Sequence, residues 1–187
     1  MPSGAPAPAP PVIVRDATPA DGAACAAVYA PYVRDDVVSF EDRPPTPAEM
    51  ADRITAALAS HAWLVAVLPP GHPDAGRVVG YAYAVPFAAR PAYRWACETS
   101  VYLEQGRRRT GAGRALYSVL LERLAALGYR QAVAGYAEPN PSSAGLHAAL
   151  GFEVVGTFRD IGFKHGAWRD VTRVQRALGD GATTPPA

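Results

Sequence analysis

The chain has 187 residues, 49% of them hydrophobic, with 18 basic and 17 acidic side chains and a formal net charge of +1. That length fits one domain with a substantial core, and the charge balance excludes a field strong enough to attract nucleic acid or acidic membranes without specificity. The two cysteines, Cys25 and Cys97, stand far apart with no CxxC or Cys/His cluster, which argues against a disulfide framework or a metal site and for a reducing, cytoplasmic compartment.

Met1 to Pro11 alternates Ala and Pro without the basic start and apolar core of a signal peptide, and no stretch approaches membrane-spanning length. This start and the tail 179–187 hold too little apolar content to pack and are expected to be disordered, leaving a folded region over 12–178. Val12 to Val14 reads as a short strand. Thr18-Pro19-Ala20-Asp21 supplies an N-cap, a first-turn proline and an acidic third residue for a helix running toward Ala30. The same pattern recurs in Thr46-Pro47-Ala48-Glu49, ahead of a helix whose Met50, Ile54 and Leu58 form one apolar stripe.

Trp63 to Leu68 and Val78 to Val85 are apolar, β-branched and aromatic runs on either side of a turn-rich segment, which predicts an antiparallel hairpin. A strand is expected over Trp95 to Leu103. Leu116, Leu120, Leu121, Leu124 and Leu127 fit a helical stripe, Gln131 to Tyr136 a strand, and Ser142 to Leu150 a helix ended by Gly151. Phe152 to Phe158 and Val171 to Arg176 close the sheet. The sum is an α/β (α+β) fold, a mixed twisted sheet with helices on its faces.

Between the strand at Trp95 and the helix at Leu116 lies Arg107-Arg108-Arg109-Thr110-Gly111-Ala112-Gly113-Arg114. Unpaired N–H groups and the positive end of a helix starting here would converge on an anion, and three arginines suit a pyrophosphate. The Walker motif fails because Ala112-Gly113 stands where Lys-Ser/Thr is needed, and the dinucleotide fingerprint fails because Leu116 replaces its third glycine. The alternative is a surface turn with a solvated arginine run.

Arg108-x-x-Gly111-x-Gly113 resembles the motif by which the GNAT superfamily of N-acetyltransferases holds the CoA pyrophosphate. Asn140, His147 and Leu150-Gly151-Phe152 are similar to that superfamily's second signature, with His147 where many members carry tyrosine. Gly80-Tyr81-Ala82-Tyr83-Ala84, Arg90-x-x-Tyr93-x-Trp95, Glu98-x-x-Val101-Tyr102, Pro139-Asn140 and Gly162-Phe163-Lys164-His165-Gly166-x-Trp168 narrow the resemblance to the phosphinothricin N-acetyltransferase family. It implies a GNAT fold with a splayed parallel strand pair, acetyl-CoA as donor, a small-molecule amine as acceptor, and a homodimer. No partner nucleic acid or membrane is expected.

The resemblance makes Glu98 the general base, since an amine with a reference pKa of about 7.7 to 10.4 must lose a proton before it attacks. It makes His147 a general acid or an orienting group. The alternatives are a solvent-facing strand carboxylate and a helix histidine with a satisfied hydrogen bond. By the same resemblance the backbone of Val101, Tyr102 and Leu103 would pair with pantetheine, Asn140 would contact the cofactor through its amide, and Arg108 to Arg114 would hold the pyrophosphate. Phe40, Arg90 and Tyr93 would line the acceptor pocket, although Arg90 could be a loop-surface charge, and Phe40, Phe87 and Trp95 taken singly read as core. Cys97 reads as a small packed residue rather than a nucleophile. Glu138 departs from the apolar residue common in the family and leaves the acceptor open. The expected activity is N-acetylation of phosphinothricin or a related analogue such as methionine sulfoximine or sulfone. The competing readings are a GNAT enzyme for another amine (amino acid, polyamine, aminoglycoside or protein) and a non-catalytic acyl-CoA-binding module.

Overall fold

A computed structural model describes residues 12–107 and 110–179. The expected disordered ends therefore lie outside the described residues, apart from Gly179. Seven strands, β1 (Ile13–Asp16), β2 (Trp63–Val67), β3 (Val78–Pro86), β4 (Ala96–Leu103), β5 (Gln131–Ala137), β6 (Glu153–Lys164) and β7 (Ala167–Ala177), form one sheet in the order β1-β2-β3-β4-β5-β7-β6. Among the described residues only β4 and β5 pair in parallel. Joining them takes a crossover helix, α3 (Ala112–Ala126), because parallel neighbours cannot be linked by a tight turn.

Helices α1 (Gly22–Arg34) and α2 (Pro47–Leu58) cover one face of the sheet, and α3 covers the other. Strand β2 is buried on both faces, Leu64 and Ala66 toward α3 and Trp63 and Val65 toward α1 and α2, which is why it reads as a continuous apolar run. The Thr46 capping box is complete: Thr46 Oγ1 accepts from the Glu49 amide at 3.2 Å and Glu49 Oε2 accepts from the Thr46 amide at 2.8 Å. The first helix differs from expectation at both ends. Pro19 to Asp21 forms a 3₁₀ turn, and α1 runs past Ala30 and through Pro31 to Arg34. Leu127 is the C-cap of α3 and 49% exposed, so it does not belong to the buried stripe.

The largest difference is in the last two strands. β6 and β7 extend well beyond Phe158 and begin before Val171, forming a long hairpin that turns at His165 and Gly166. Both turn residues have positive φ, 50° and 74°, as a two-residue hairpin with right-twisted strands requires. Most of β6 is exposed, so no alternation of apolar and polar residues announces it.

Candidate active site

The β4–β5 pairing holds for three positions only, ending at Glu98↔Val133. Beyond it β4 stays with β3 and β5 stays with β7, so the sheet opens at its centre. Glu98 is the last paired residue of β4 before that opening. Its Oε1 accepts a hydrogen bond from Arg173 Nη1 of β7 at 2.7 Å.

Two clefts adjoin the opening and share Val38, Val101, Tyr102, Asn140 and Ser143. The first is also walled by Tyr32, Leu103, Gly113 and Leu146. A Cβ on Gly113 would meet Leu103 and Leu146 at 3.5 Å, an ordinary van der Waals contact. Tyr32 donates its hydroxyl to the Leu103 carbonyl at 2.7 Å, fixing α1 to the diverging end of β4. Asn140 caps α4 (Pro141–Ala149) by accepting from the Ser143 amide on Oδ1 at 3.0 Å. That bond identifies its oxygen and leaves its NH₂ group as the donor.

The turn into α3 places Gly111 at the N-cap with φ of 82°, a conformation that glycine adopts without strain. Its carbonyl accepts the Ala115 amide at 2.9 Å, so the amides of Ala112, Gly113 and Arg114 precede the first helical hydrogen bond. Thr110 donates its hydroxyl to the Arg107 carbonyl at 3.1 Å, and Arg107 is held by Glu104 at 2.8 Å. Arg114 is exposed on the first turn of α3. Arg108 and Arg109 lie outside the described residues.

The second cleft is lined by Thr99, Gly135, Tyr136, Tyr117 and His147. His147 is 4% exposed, and its Nδ1 lies 2.8 Å from the Ser143 carbonyl. A carbonyl can only accept, so Nδ1 carries the proton and Nε2 accepts from the Tyr117 hydroxyl 3.1 Å away. Burial holds the imidazole below its usual range, against the opposing pull of the Ser143 carbonyl, and so favours the neutral ring. Tyr117 also lies 2.9 Å from Thr99 Oγ1, and burial raises its phenol above the ordinary value. Sequence pattern does not single out Tyr117, because it sits among the leucines of the α3 stripe.

Phe40, Arg90 and Tyr93 line neither cleft. All three are exposed: Phe40 rests its ring against Gly162 of β6, while Arg90 precedes and Tyr93 ends a 3₁₀ turn between β3 and β4. Phe87 meets Tyr93 edge-on at 5.6 Å and is likewise exposed, while Trp95 is half-buried beneath Arg94. The core reading thus fails for Phe40 and Phe87, because the segments carrying them lie outside the two packed layers. Cys97 is fully buried, and burial pushes its thiol up to about 12, as suits a packed residue. Among the described residues no group of three or more His, Cys, Asp or Glu is placed to hold a metal, and no helix is long and apolar enough to cross a membrane.

Lys164 is explained by the fold. Its Nζ donates to the carbonyl of Val33, in the last turn of α1, at 2.7 Å and to that of Ser39 at 2.5 Å, tying the β6–β7 hairpin to that helix end and to the segment that leads on to α2. That segment carries Val38, which borders both clefts, and Phe40.

Residues 14–172 match the acetyltransferase (GNAT) domain family. The chain is 40% identical over 166 residues to phosphinothricin N-acetyltransferase of Streptomyces viridochromogenes, covering 89% of this chain and 87% of that protein. It is 33% identical over 178 residues to the L-methionine sulfoximine/L-methionine sulfone acetyltransferase of Pseudomonas paraeruginosa, covering 92% and 98%. The crystal structure of a GNAT superfamily phosphinothricin acetyltransferase from Sinorhizobium meliloti in complex with AcCoA superposes with a TM-score of 0.87 at 41% identity, covering 94% of this chain and 93% of that one. With an opened parallel pair, a glycine turn into the crossover helix and an asparagine-capped helix beside it, the chain belongs to the phosphinothricin N-acetyltransferase family of the GNAT superfamily.

Proposed function

We propose that the protein transfers the acetyl group of acetyl-CoA to the amine of phosphinothricin or a related amino-acid analogue such as methionine sulfoximine or sulfone, by direct attack of the amine on the thioester. The observation that carries this reading is the position of Glu98, at the last parallel pair before the sheet opens. The names of the S. viridochromogenes and P. paraeruginosa relatives support the acceptor class.

In this reading pantetheine lies along 101–103 in the first cleft, with Asn140 as an amide donor and the turn from Arg108 to Arg114 at the pyrophosphate. Glu98 accepts the proton of the attacking amine, directly or through water, as the C–N bond forms and the C–S bond breaks. Tyr117 donates a hydrogen bond to the departing sulfur by turning its hydroxyl hydrogen away from Nε2 of His147, the acceptor that holds the phenol in place until the thiolate forms. His147, neutral and bound to the Tyr117 hydroxyl, acts through that hydroxyl as a positioning residue rather than as a free acid. Phe40, Arg90 and Tyr93 receive the distal end of the acceptor, where an arginine suits a phosphinate or carboxylate.

The catalytic domain spans 12–178 and works as a cytoplasmic homodimer. Val155, Phe158, Ile161, Phe163 and Trp168 expose large apolar surface on the β6–β7 hairpin, an arrangement that a second subunit would cover. Resistance to an amino-acid antibiotic and detoxification of a metabolic analogue are the two biological roles that this chemistry would serve. Purified protein given acetyl-CoA with phosphinothricin, methionine sulfoximine, methionine sulfone, other amino acids, a polyamine and an aminoglycoside should release free thiol with the first three. Release only with the others would overturn the acceptor assignment, and none with any acceptor, despite calorimetric binding of acetyl-CoA, would favour a binding module. Light scattering tests the dimer.

A further inference from the structure

Arg173 belongs to no motif, yet its side chain runs from β7 across β5 to reach Glu98 on β4. It can do so because its cross-strand partner is Gly135. A Cβ on Gly135 would stand 2.9 Å from Nη1, 3.2 Å from Cδ and 3.5 Å from Cζ of the arginine. The absent side chain is the groove through which the guanidinium passes, and Gly135 itself borders the second cleft.

The pair uses one carboxylate oxygen and one guanidinium nitrogen, at 2.7 Å. Among the described residues Nη2 and Nε of Arg173 make no hydrogen bond, so one edge of the planar fork remains for a second acceptor. Neither side chain is sealed in: 22% of Arg173 and 35% of Glu98 is exposed. A partly exposed ion pair of this kind adds little stability.

What the pair does present is a cation and an anion side by side at the opening of the sheet. An α-amino acid carries the opposite charges close together, its nitrogen and carboxyl carbon lying about 2.5 Å apart across the α-carbon. We infer that Arg173 binds the α-carboxylate of the acceptor through its unused edge while Glu98 receives the amine, so that the Glu98–Arg173 pair selects free α-amino acids over amines without that carboxylate. This rests on the acceptor class proposed above and assigns the α-carboxylate to Arg173, leaving Arg90 for a second anionic group farther along the molecule. A bidentate guanidinium–carboxylate contact fixes orientation as well as charge, which turns the α-amine toward Glu98.

The test compares phosphinothricin and L-methionine sulfone with their α-carboxamides, reading the ratio of kcat/KM for acid over amide. Differences in amine basicity, and any effect of the substitution on Glu98 or on the folded fraction, cancel when that ratio is compared between variants. Wild type should favour the acids, and Arg173→Gln should reduce the acid-over-amide ratio about 10- to 100-fold, as expected for loss of a charge-assisted hydrogen-bonded contact. Arg173→Lys, which keeps the charge without the fork, should fall between them. Gly135→Ala displaces the guanidinium without removing it and should shift the ratio the same way, which keeps the inference testable if Arg173→Gln does not fold. An unchanged ratio in these variants, or a wild type indifferent to the carboxylate, overturns the role of Arg173 while the acetyltransferase reading stands. A wild type that acetylates none of the four compounds overturns both.

Discussion

The Tyr117 hydroxyl lies 3.1 Å from Nε2 of His147, whose Nδ1 is spent on the Ser143 carbonyl. The two side chains therefore act as a unit in which the imidazole orients the phenol. Tyr117→Phe should lower kcat about 100-fold, the scale of losing one positioned donor, with little change in KM for acetyl-CoA. His147→Gln should lower kcat about tenfold, and the double variant should be no slower than Tyr117→Phe alone. Steady-state kinetics on the four proteins gives the coupling directly, and additive losses would show that His147 acts on its own.

The same burial makes a stability prediction. His147 and His61 are both buried, and burial holds each imidazole below the ordinary value of about 6.5. As pH falls through 6.5 the unfolded chain takes up these protons before the folded one does, so the stability present above that pH is lost as acid is added. Urea unfolding should show a lower midpoint at pH 5 than at pH 7.5. His147→Gln should flatten that dependence, since one of the two groups no longer titrates.

Much of this was open to reading in the sequence. The capping box at Thr46 to Glu49, the buried hairpin strands and the glycine turn into α3 depend on local chemistry that each segment carries by itself. What pattern could not reveal depends on register between distant segments. Tyr117 looks like one more member of the α3 stripe until α4 brings His147 against it. Arg173 looks like a solvated strand residue until its pairing with Gly135 shows where the side chain runs. The outer half of the β6–β7 hairpin is exposed on most positions, so the alternation that marks a half-buried strand is missing, and its residues stood out only as a family motif.

Lys164 shows what that hairpin does for the site. It supplies donors to the Val33 and Ser39 carbonyls, and Lys164→Met would leave both without them while keeping much of the apolar stem. The expected cost is about 1–3 kcal/mol, seen as a lower urea midpoint. The segment 35–46 should also exchange its amides faster with deuterated solvent. Because Phe40 and Val38 ride on that segment, acceptor KM should rise several-fold.

Glu98→Gln isolates the proton transfer from the geometry around it. The carboxamide keeps the length of the side chain, and its oxygen can still accept from Arg173 Nη1, which reaches Glu98 at 2.7 Å in the wild type. What it cannot do is take a proton from the attacking amine. The loss in kcat/KM for the acceptor should therefore be about 10²- to 10⁴-fold at neutral pH, with acetyl-CoA affinity by calorimetry unchanged. Amines have reference pKa values of about 7.7 to 10.4, so raising the pH supplies more acceptor already deprotonated. The gap between variant and wild type should narrow steadily as pH rises toward 10. A variant with full activity at neutral pH would remove Glu98 from proton transfer, whereas a loss that stayed constant with pH would mean that its charge, rather than its basicity, is what the reaction uses.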